Sequence, residues 1–404
     1  MKFTDSGICR PSGFKAAGLH CGIRKNKGKK DLALIYSEKK AAAAAVYTRN
    51  FVKGAPLLVT KKHLEIPYAS AIICNSGNAN TCNADGKQTA DRMCEITAKS
   101  LGILPSDVIV ASTGVIGQPL DVRPIEKHMD RLVNSLSYNG SLSAAEGIMT
   151  TDTVKKEVAV EFELGGKTCA IGGIAKGSGM IHPDMATMLV FITTDTAISP
   201  SLLQNALNED LEDSFNMISV DGDTSTNDMV CILANGLAGN TPIETKNKDF
   251  KTFKKALALV TEHLCKAIAK DGEGATKLIE CRVNGAADIN TAKKVAKSVI
   301  GSSLVKSAMF GSDANWGRVL CALGYSGSKV DVDRIDLSFV SSVGEIQVCS
   351  GGVGICFSEE KAKEILEKDE ICIIINLNAG TETATAWGCD LTYDYVRING
   401  DYRT

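Results

Sequence analysis

The residues whose types and spacing could carry chemistry are concentrated in Ala175-Lys-Gly-Ser-Gly-Met-Ile-His-Pro-Asp-Met-Ala-Thr187-Met-Leu-Val-Phe-Ile-Thr-Thr-Asp195. A turn rich in glycine runs directly into Met188 to Ile192, an apolar run of strand length. Gly177, Gly179 and Pro183 ask for unusual backbone angles, while the run after Thr187 asks for burial in a sheet. A hydroxyl held at that junction is a candidate nucleophile. It is equally the first residue of an ordinary strand, so other stretches must decide.

Four such stretches follow strands or end helices. Asn75-Ser-Gly-Asn-Ala-Asn-Thr81 comes after the short apolar run Ala71 to Cys74, either as a ligand-facing loop or as a turn closed on its own side chains. Thr113-Gly114 comes after the strand at 107–110, a geometry that can aim backbone N–H groups outward as an oxyanion hole requires. Asp221 to Asp228 is acidic and rich in hydroxyls but lacks the sixth-position glycine and terminal glutamate of a calcium loop. Asp271-Gly-Glu-Gly-Ala-Thr276 places Glu273 between two glycines at a helix end.

The elements that must hold these loops are legible from periodicity. Two short strands around a turn are expected over 31–50, a helix over 87–101 stopped by Gly102, and an amphipathic helix after Pro124. Val158, Val160, Phe162 and Leu164 alternate ahead of Gly165-Gly166, which predicts a hairpin with 168–174. Ser199-Pro200 opens a helix, Met229 to Ala234 is a strand or buried helix, and Asp249 caps a helix reaching about Lys270. A further helix is expected from Thr291 to Lys306, then an aromatic and charged loop over 310–318. Strands at 330–340, 345–349 and 371–377 flank a helix at 359–368. The polar stretch 236–248 suggests a boundary between a catalytic α/β domain, 1–240, and a C-terminal α/β domain, 241–404. Without a regular βαβ beat or a GxGxxG opening a helix, the expected class is a layered α/β or α+β sandwich.

Composition narrows the function. The 404 residues are 44% apolar, and 45 Lys and Arg against 47 Asp and Glu leave a net charge of −2, which advertises neither nucleic acid nor a polyanion. Fourteen cysteines lie in apolar surroundings, as at Cys74, Cys231, Cys356 and Cys372, without CxxC or CxxH spacing. Buried free thiols in a cytoplasmic chain fit best, with no metal site expected. No run reaches membrane-span length, and the first residues lack a signal peptide's apolar core.

Taken together, Lys176 to Leu189, Asn75 to Asn80, Ser112 to Gly114, Met149 to Asp152, Ser219 to Asp228, Asp271 to Thr276 and Asp313 to Arg318 resemble the ornithine acetyltransferase family, the bifunctional glutamate N-acetyltransferases. They span nearly the whole chain in the family's order. Asp184 stands where asparagine is commoner, and Ala314 where proline is. The resemblance implies a sandwich like that of N-terminal-nucleophile hydrolases and a precursor cut between Ala186 and Thr187 into chains 1–186 and 187–404. Two copies of each chain would assemble. Thr187 would be nucleophile and new N-terminus, Thr113 and Gly114 the oxyanion hole, and Thr150, Lys176, Thr187, Glu273, Asn399 and Thr404 the substrate contacts. The implied reaction moves acetyl from N-acetylornithine to glutamate in arginine biosynthesis, without a cofactor, with acetyl-CoA as a second possible donor. A freed α-amine beside a hydroxyl makes chemical sense of this, since threonine is a poor nucleophile without an adjacent base. The alternative is a hydrolase of the related aminopeptidase type. Those relatives carry serine at this point, which counts against it.

Overall fold

The computed structural model describes residues 1–182 and 188–400. Sixteen strands are found among them. The first ten are β1 (Lys2–Thr4), β2 (Phe14–Leu19), β3 (Leu32–Tyr47), β4 (Tyr68–Asn75), β5 (Val108–Ser112), β6 (Lys156–Leu164), β7 (Lys167–Lys176), β8 (Leu189–Thr194), β9 (Ile218–Ser219) and β10 (Met229–Ala234). The others are β11 (Leu278–Ala286), β12 (Asp336–Ser341), β13 (Gly344–Ser350), β14 (Val353–Gly354), β15 (Glu370–Asn376) and β16 (Glu382–Cys389). Helices α1 (Ala55–His63), α2 (Gly86–Leu101), α3 (Arg123–Asn134), α4 (Ser141–Ile148) and α5 (Pro200–Leu211) precede α6 (Lys248–Lys270). After it come α7 (Ile289–Gly301), α8 (Ser303–Phe310), α9 (Trp316–Gly324), α10 (Glu359–Leu366) and α11 (Tyr393–Gly400).

The chain divides into two compact units. One comprises Met1–Gly177, Asp184–Glu212 and Thr224–Leu264; the other comprises Ser178–Pro183, Asp213–Asp223 and Cys265–Thr404. The division expected near residue 240 lies instead inside α6, because the polar stretch before it feeds a helix that runs on unbroken to Lys270. Two short segments from earlier in the sequence also join the second unit, which no linear boundary could express.

In the first unit the main path of the sheet runs β1-β6-β7-β8-β10-β3-β4-β5, with β2 pairing to β3. Side chains alternate across a strand, so β4 and β5 feed two cores. Ile72, Cys74, Ile109 and Ala111 pack with Ala144, Ala145 and Ile148 of α4 on one face. Ala71, Ile73, Val108 and Val110 pack with Ala90 and Met93 of α2 and Ile125, Met129 and Leu132 of α3 on the other. A sheet buried on both faces by helices is the layered α/β arrangement expected. The hairpin of β6 and β7 closes at Leu164 and Lys167, with Gly165 and Gly166 at φ 55° and 77°, the positive angles that a two-residue turn between twisted strands requires.

Two expectations change here. The two strands read over 31–50 are one strand, β3, whose register with β4 shifts between Tyr36 and Ala41, so the polar Ser37 to Lys40 marks an irregularity rather than a turn. The apolar run at Met229 is a strand, β10, parallel to β8 with Met229 opposite Leu189.

The second unit holds a sheet ordered β14-β13-β12-β15-β11-β16-β9, with α7 against β11 and β16 and α10 against β12. The single helix read from Thr291 to Lys306 is two, because Ser302 leaves helical geometry (ψ 115°) and its side chain caps the Val305 amide of α8. The expected loop at 310–318 is shorter, since α8 reaches Phe310 and Asn315 caps α9. Strand β16 was not read from the sequence.

All fourteen cysteines are free, and most are buried. Cys356, expected inside, is exposed, as are Cys82 and Cys321, because the segment after β14 is not packed as a core strand. No described helix is long and apolar enough to cross a membrane.

Candidate active site

Three of the residues named from the sequence, Ala186, Thr187 and Thr404, lie outside the described residues. The remaining six fall into three constellations, each inside one unit.

Thr113 and Gly114 follow β5 in the first unit. Their turn is built by asparagines: the Asn75 side chain donates to Ser112 Oγ at 2.7 Å and accepts from the amides of Gly77 and Asn78, while Asn78 donates to Gln118 O at 3.0 Å. The Asn75 loop therefore combines turns closed on its own asparagines with ties to Ser112 and Gln118 of a neighbouring segment. The Thr113 amide is consumed here, donating to Asn75 O at 3.0 Å. No partner is recorded among the described residues for the Gly114 amide or the Thr113 hydroxyl. Gly114 sits at φ 127°, and a Cβ there would meet Gly77 C at 2.7 Å and Asn78 N at 2.8 Å, so the turn requires glycine. The turn thus leaves one amide and one hydroxyl, not two amides, as donors without a recorded partner among the described residues.

Thr150 and Lys176 are joined through a residue the sequence reading quoted without assigning, Asp152. Its carboxylate accepts from the Lys156 ammonium at 2.7 Å, the Gly177 amide at 2.7 Å and the Thr150 amide at 2.9 Å. Burial opposes its charge. The Lys156 and Lys176 cations and the Gly177 amide outweigh that and hold the carboxyl well below the usual carboxylate range. Lys176, the last residue of β7, is itself buried. Beside this group lies a cavity of about 560 Å³ lined by Arg24, Lys30, Glu146, Met149, Asp152 and Lys155, among others.

Glu273 and Asn399 meet in the second unit: the Asn399 amide donates to Glu273 Oε2 at 2.7 Å from the exposed last turn of α11. The glycine-rich run ahead of Thr187 is held by the same group. Glu273 N donates to Ser178 O at 2.8 Å, and the Glu273 carboxylate lies across Gly179 so closely that a Cβ would stand 2.3–2.6 Å from its atoms. Met180 is at φ 58°, and its amide and that of Ile181 both donate to the Asp221 carboxylate. Tyr395 OH donates to Asp221 at 3.2 Å; burial first and that carboxylate second push the phenol upward. His182 Nδ1 lies 3.0 Å from Ser219 Oγ. The acidic loop 221–228 therefore clamps this run through its first residue. Among the described residues no cluster of acidic, histidine or cysteine side chains has the makings of a metal site.

The last residue of that loop, Asp228, belongs to the first unit and was missed. It is 2% exposed and one carboxylate oxygen has no hydrogen-bond partner. Burial pushes its carboxyl well above the usual range, against the pull of the Lys176 cation, the Ser225 hydroxyl, the Met188 amide and the Thr48 hydroxyl. It stands beside Met188 because Met229 N donates to Met188 O at 3.0 Å, continuing the parallel pairing of β8 and β10 by one residue. Its neighbour Asn227 donates to Ser112 O at 2.8 Å and Ala79 O at 2.6 Å, tying this point to the Thr113 turn.

Comparison with known proteins gives a consistent result. The chain matches the model of the ArgJ family over residues 15–404. It is 54% identical over 392 residues to arginine biosynthesis bifunctional protein ArgJ 1 of Clostridium acetobutylicum, covering 97% of this chain and 96% of the relative. It is 52% identical over 406 residues to arginine biosynthesis bifunctional protein ArgJ of Symbiobacterium thermophilum, covering 100% of each. The crystal structure of arginine biosynthesis bifunctional protein ArgJ from Bacillus halodurans superposes with a TM-score of 0.51 at 51% identity, over 53% of this chain and 99% of that one. Motifs in the family's order, a match from residue 15 to residue 404 and half-identical relatives along the full length agree: this chain belongs to the ArgJ family.

Proposed function

We propose that this chain is a self-cleaving acyltransferase of arginine biosynthesis. It moves the acetyl group of N-acetylornithine to glutamate through an acetyl ester on Thr187, and also accepts acetyl-CoA as donor. The observation that carries the reading is full-length identity near one half to relatives named bifunctional arginine biosynthesis proteins. The geometry supports it with an amide at Gly114 and a hydroxyl at Thr113 for which no protein partner is recorded among the described residues, beside the tie from Asn227 to Ser112.

In the proposed cycle, cleavage between Ala186 and Thr187 frees an α-amine of pKa roughly 7.7–8.0, suited to take the Thr187 hydroxyl proton. Thr187 Oγ attacks the acetyl carbonyl, and the oxyanion is met by the Gly114 amide and Thr113 hydroxyl, donors of a kind worth about 3–4 kcal/mol each. The amide bond to ornithine breaks as its nitrogen takes the proton. Glutamate's amine then attacks the ester and restores the hydroxyl. Thr150, Lys176, Glu273, Asn399 and Thr404 are the proposed contacts to the substrate's charged ends. The proposed working assembly has two chains of each kind and resides in the cytoplasm.

Two assays test this. Purified protein given N-acetylornithine and glutamate should yield ornithine and N-acetylglutamate, and glutamate with acetyl-CoA alone should yield N-acetylglutamate. Release of acetate from N-acetylornithine without any need for glutamate would instead identify a hydrolase. On a denaturing gel the mature enzyme should show two bands, one with N-terminal sequence Thr-Met-Leu-Val. A single active band near 42.8 kDa would refute self-cleavage.

A further inference from the structure

We propose that the cavity beside α4 seats the coenzyme A part of the acetyl donor, with the basic loop 24–30 taking its phosphates and the thioester end lying towards Thr150. The inference rests on the reading of acetyl-CoA as a second donor and goes beyond it, since that reading names no residue for the coenzyme. N-acetylornithine and acetyl-CoA can deliver their acetyl groups to one nucleophile, but their carriers have little chemistry in common. The coenzyme, with its pyrophosphate and ribose phosphate, needs cationic contacts of its own.

The near-neutral net charge of the chain hides a local run, Arg24-Lys-Asn-Lys-Gly-Lys-Lys30, with five cations and no acid in seven residues. Buried Asp31 fixes the start of this loop by accepting from the amides of Cys21 at 2.6 Å and Arg24 at 2.9 Å. Asn26 turns it by accepting from the Gly28 amide at 2.9 Å. Lys25, Lys27 and Lys29 are exposed, and among the described residues their ammonium groups have no recorded partner. Like charges so placed repel one another, and phosphate oxygens are a ligand that relieves the repulsion.

The loop borders the cavity of about 560 Å³, a volume ordinary for a small-molecule site. Arg24, Lys29, Lys30 and Lys155 line it against two carboxylates, Glu146 and Asp152. Asp152 is already held by the Lys156 ammonium, and Glu146 alone serves both Lys30, at 2.7 Å, and Lys155, at 2.8 Å. The lining therefore keeps an excess of positive charge. Arg24 donates to the carbonyls of Ser76 at 2.8 Å and Met149 at 2.5 Å, neutral partners that fix its position. Leu142 and Val154, 47% and 52% exposed, join Met149 as apolar walls suited to a pantetheine arm. Asp152 also accepts from the Thr150 amide at 2.9 Å, which joins the cavity wall to a proposed substrate contact. Cations, apolar walls and the link to Thr150 correspond to the three parts of acetyl-CoA: phosphates, arm and thioester.

The experiment compares the two donors on the same purified enzyme, with glutamate as acceptor for both. Lys27→Glu combined with Lys29→Glu reverses two exposed charges; KM for acetyl-CoA should rise at least about tenfold, while kcat/KM for N-acetylornithine stays within about twofold and so serves as the fold control. In wild type, the adenosine bisphosphate that forms the nucleotide end of the coenzyme should compete with acetyl-CoA and leave the N-acetylornithine route untouched. Added salt should raise KM for acetyl-CoA alone. An unchanged KM for acetyl-CoA in the double variant overturns the proposal, as does inhibition of both routes alike by the bisphosphate. If the double variant fails to fold, Lys29→Ala decides by the same comparison. A wild type that acetylates glutamate from N-acetylornithine but not from acetyl-CoA overturns the second donor itself, a failure told apart from the others because it appears before any residue is changed.

Discussion

Gly179→Ala is the most informative single change, because it moves a proposed substrate contact by one methyl group placed on a different residue. A Cβ at 179 would lie 2.3 Å from Glu273 Oε2, 2.4 Å from Cδ and 2.6 Å from Oε1. Relieving contacts that short requires the carboxylate to withdraw by about 1 Å, and a displacement of that size at a catalytic site costs on the order of 100-fold in rate. The atoms that clash are the far end of a flexible side chain, so the backbone bond from Glu273 N to Ser178 O can survive, and the fold should lose only the Asn399 contact, about 1.5–3 kcal/mol for a hydrogen bond to a charged group. Asn399 is exposed, which places the loss at the lower end. The expected result is a precursor that still folds, with kcat/KM for N-acetylornithine down by about 30–100-fold. Steady-state kinetics with circular dichroism as fold control would show it, with Glu273→Gln as a parallel variant. A Gly179→Ala enzyme that cleaves and turns over within about twofold of wild type would refute both the contact and the assignment of Glu273.

Three more expectations follow from the same geometry. Gly114→Ala places a Cβ against the backbone of Gly77 and Asn78 at a φ of 127°, so it should distort the turn and lower acetyl transfer by about 100-fold even where the protein remains folded, read by kcat against a thermal melt. Asp152→Asn leaves the Lys156 ammonium without its buried partner and should cost about 3–5 kcal/mol in chemical denaturation. Because the folded Asp152 carboxyl sits below its unfolded value, its stabilisation is complete above about pH 4 and is lost as the pH falls further; a melt series should show wild type losing this increment on acidification and Asp152→Asn lacking it. The opposite sign holds for Asp228. Its folded carboxyl is raised, so folding takes up a proton and precursor stability falls as pH rises above the unfolded value. In the uncleavable Thr187→Ala background, Asp228→Asn should therefore raise the melting temperature, and by more at pH about 8 than at pH about 5.

Where the sequence carried a local signal, it was enough. The Gly165-Gly166 hairpin, the stop at Gly102 and the apolar faces of α2 and α3 depend on residues a few positions apart. The family motifs, spread along the whole chain, likewise carried the resemblance that the match to the ArgJ family bears out. What escaped depends on strand pairing across long separations. Asp228 acquires its meaning only because β10 lies parallel to β8, bringing it beside a residue forty positions earlier, and Asp152 only because β7 ends beside the loop after α4. The break at Ser302 was missed for another reason: apolar periodicity continues through it, and the cap that interrupts the helix is a single serine. The unit division was hidden because α6 crosses it without a compositional mark.

The Asp221 clamp on the amides of Met180 and Ile181 bears on the other product of cleavage. Ala186 would become a chain end only five residues beyond Ile181, and five residues extend at most about 17–18 Å. The severed end is therefore leashed.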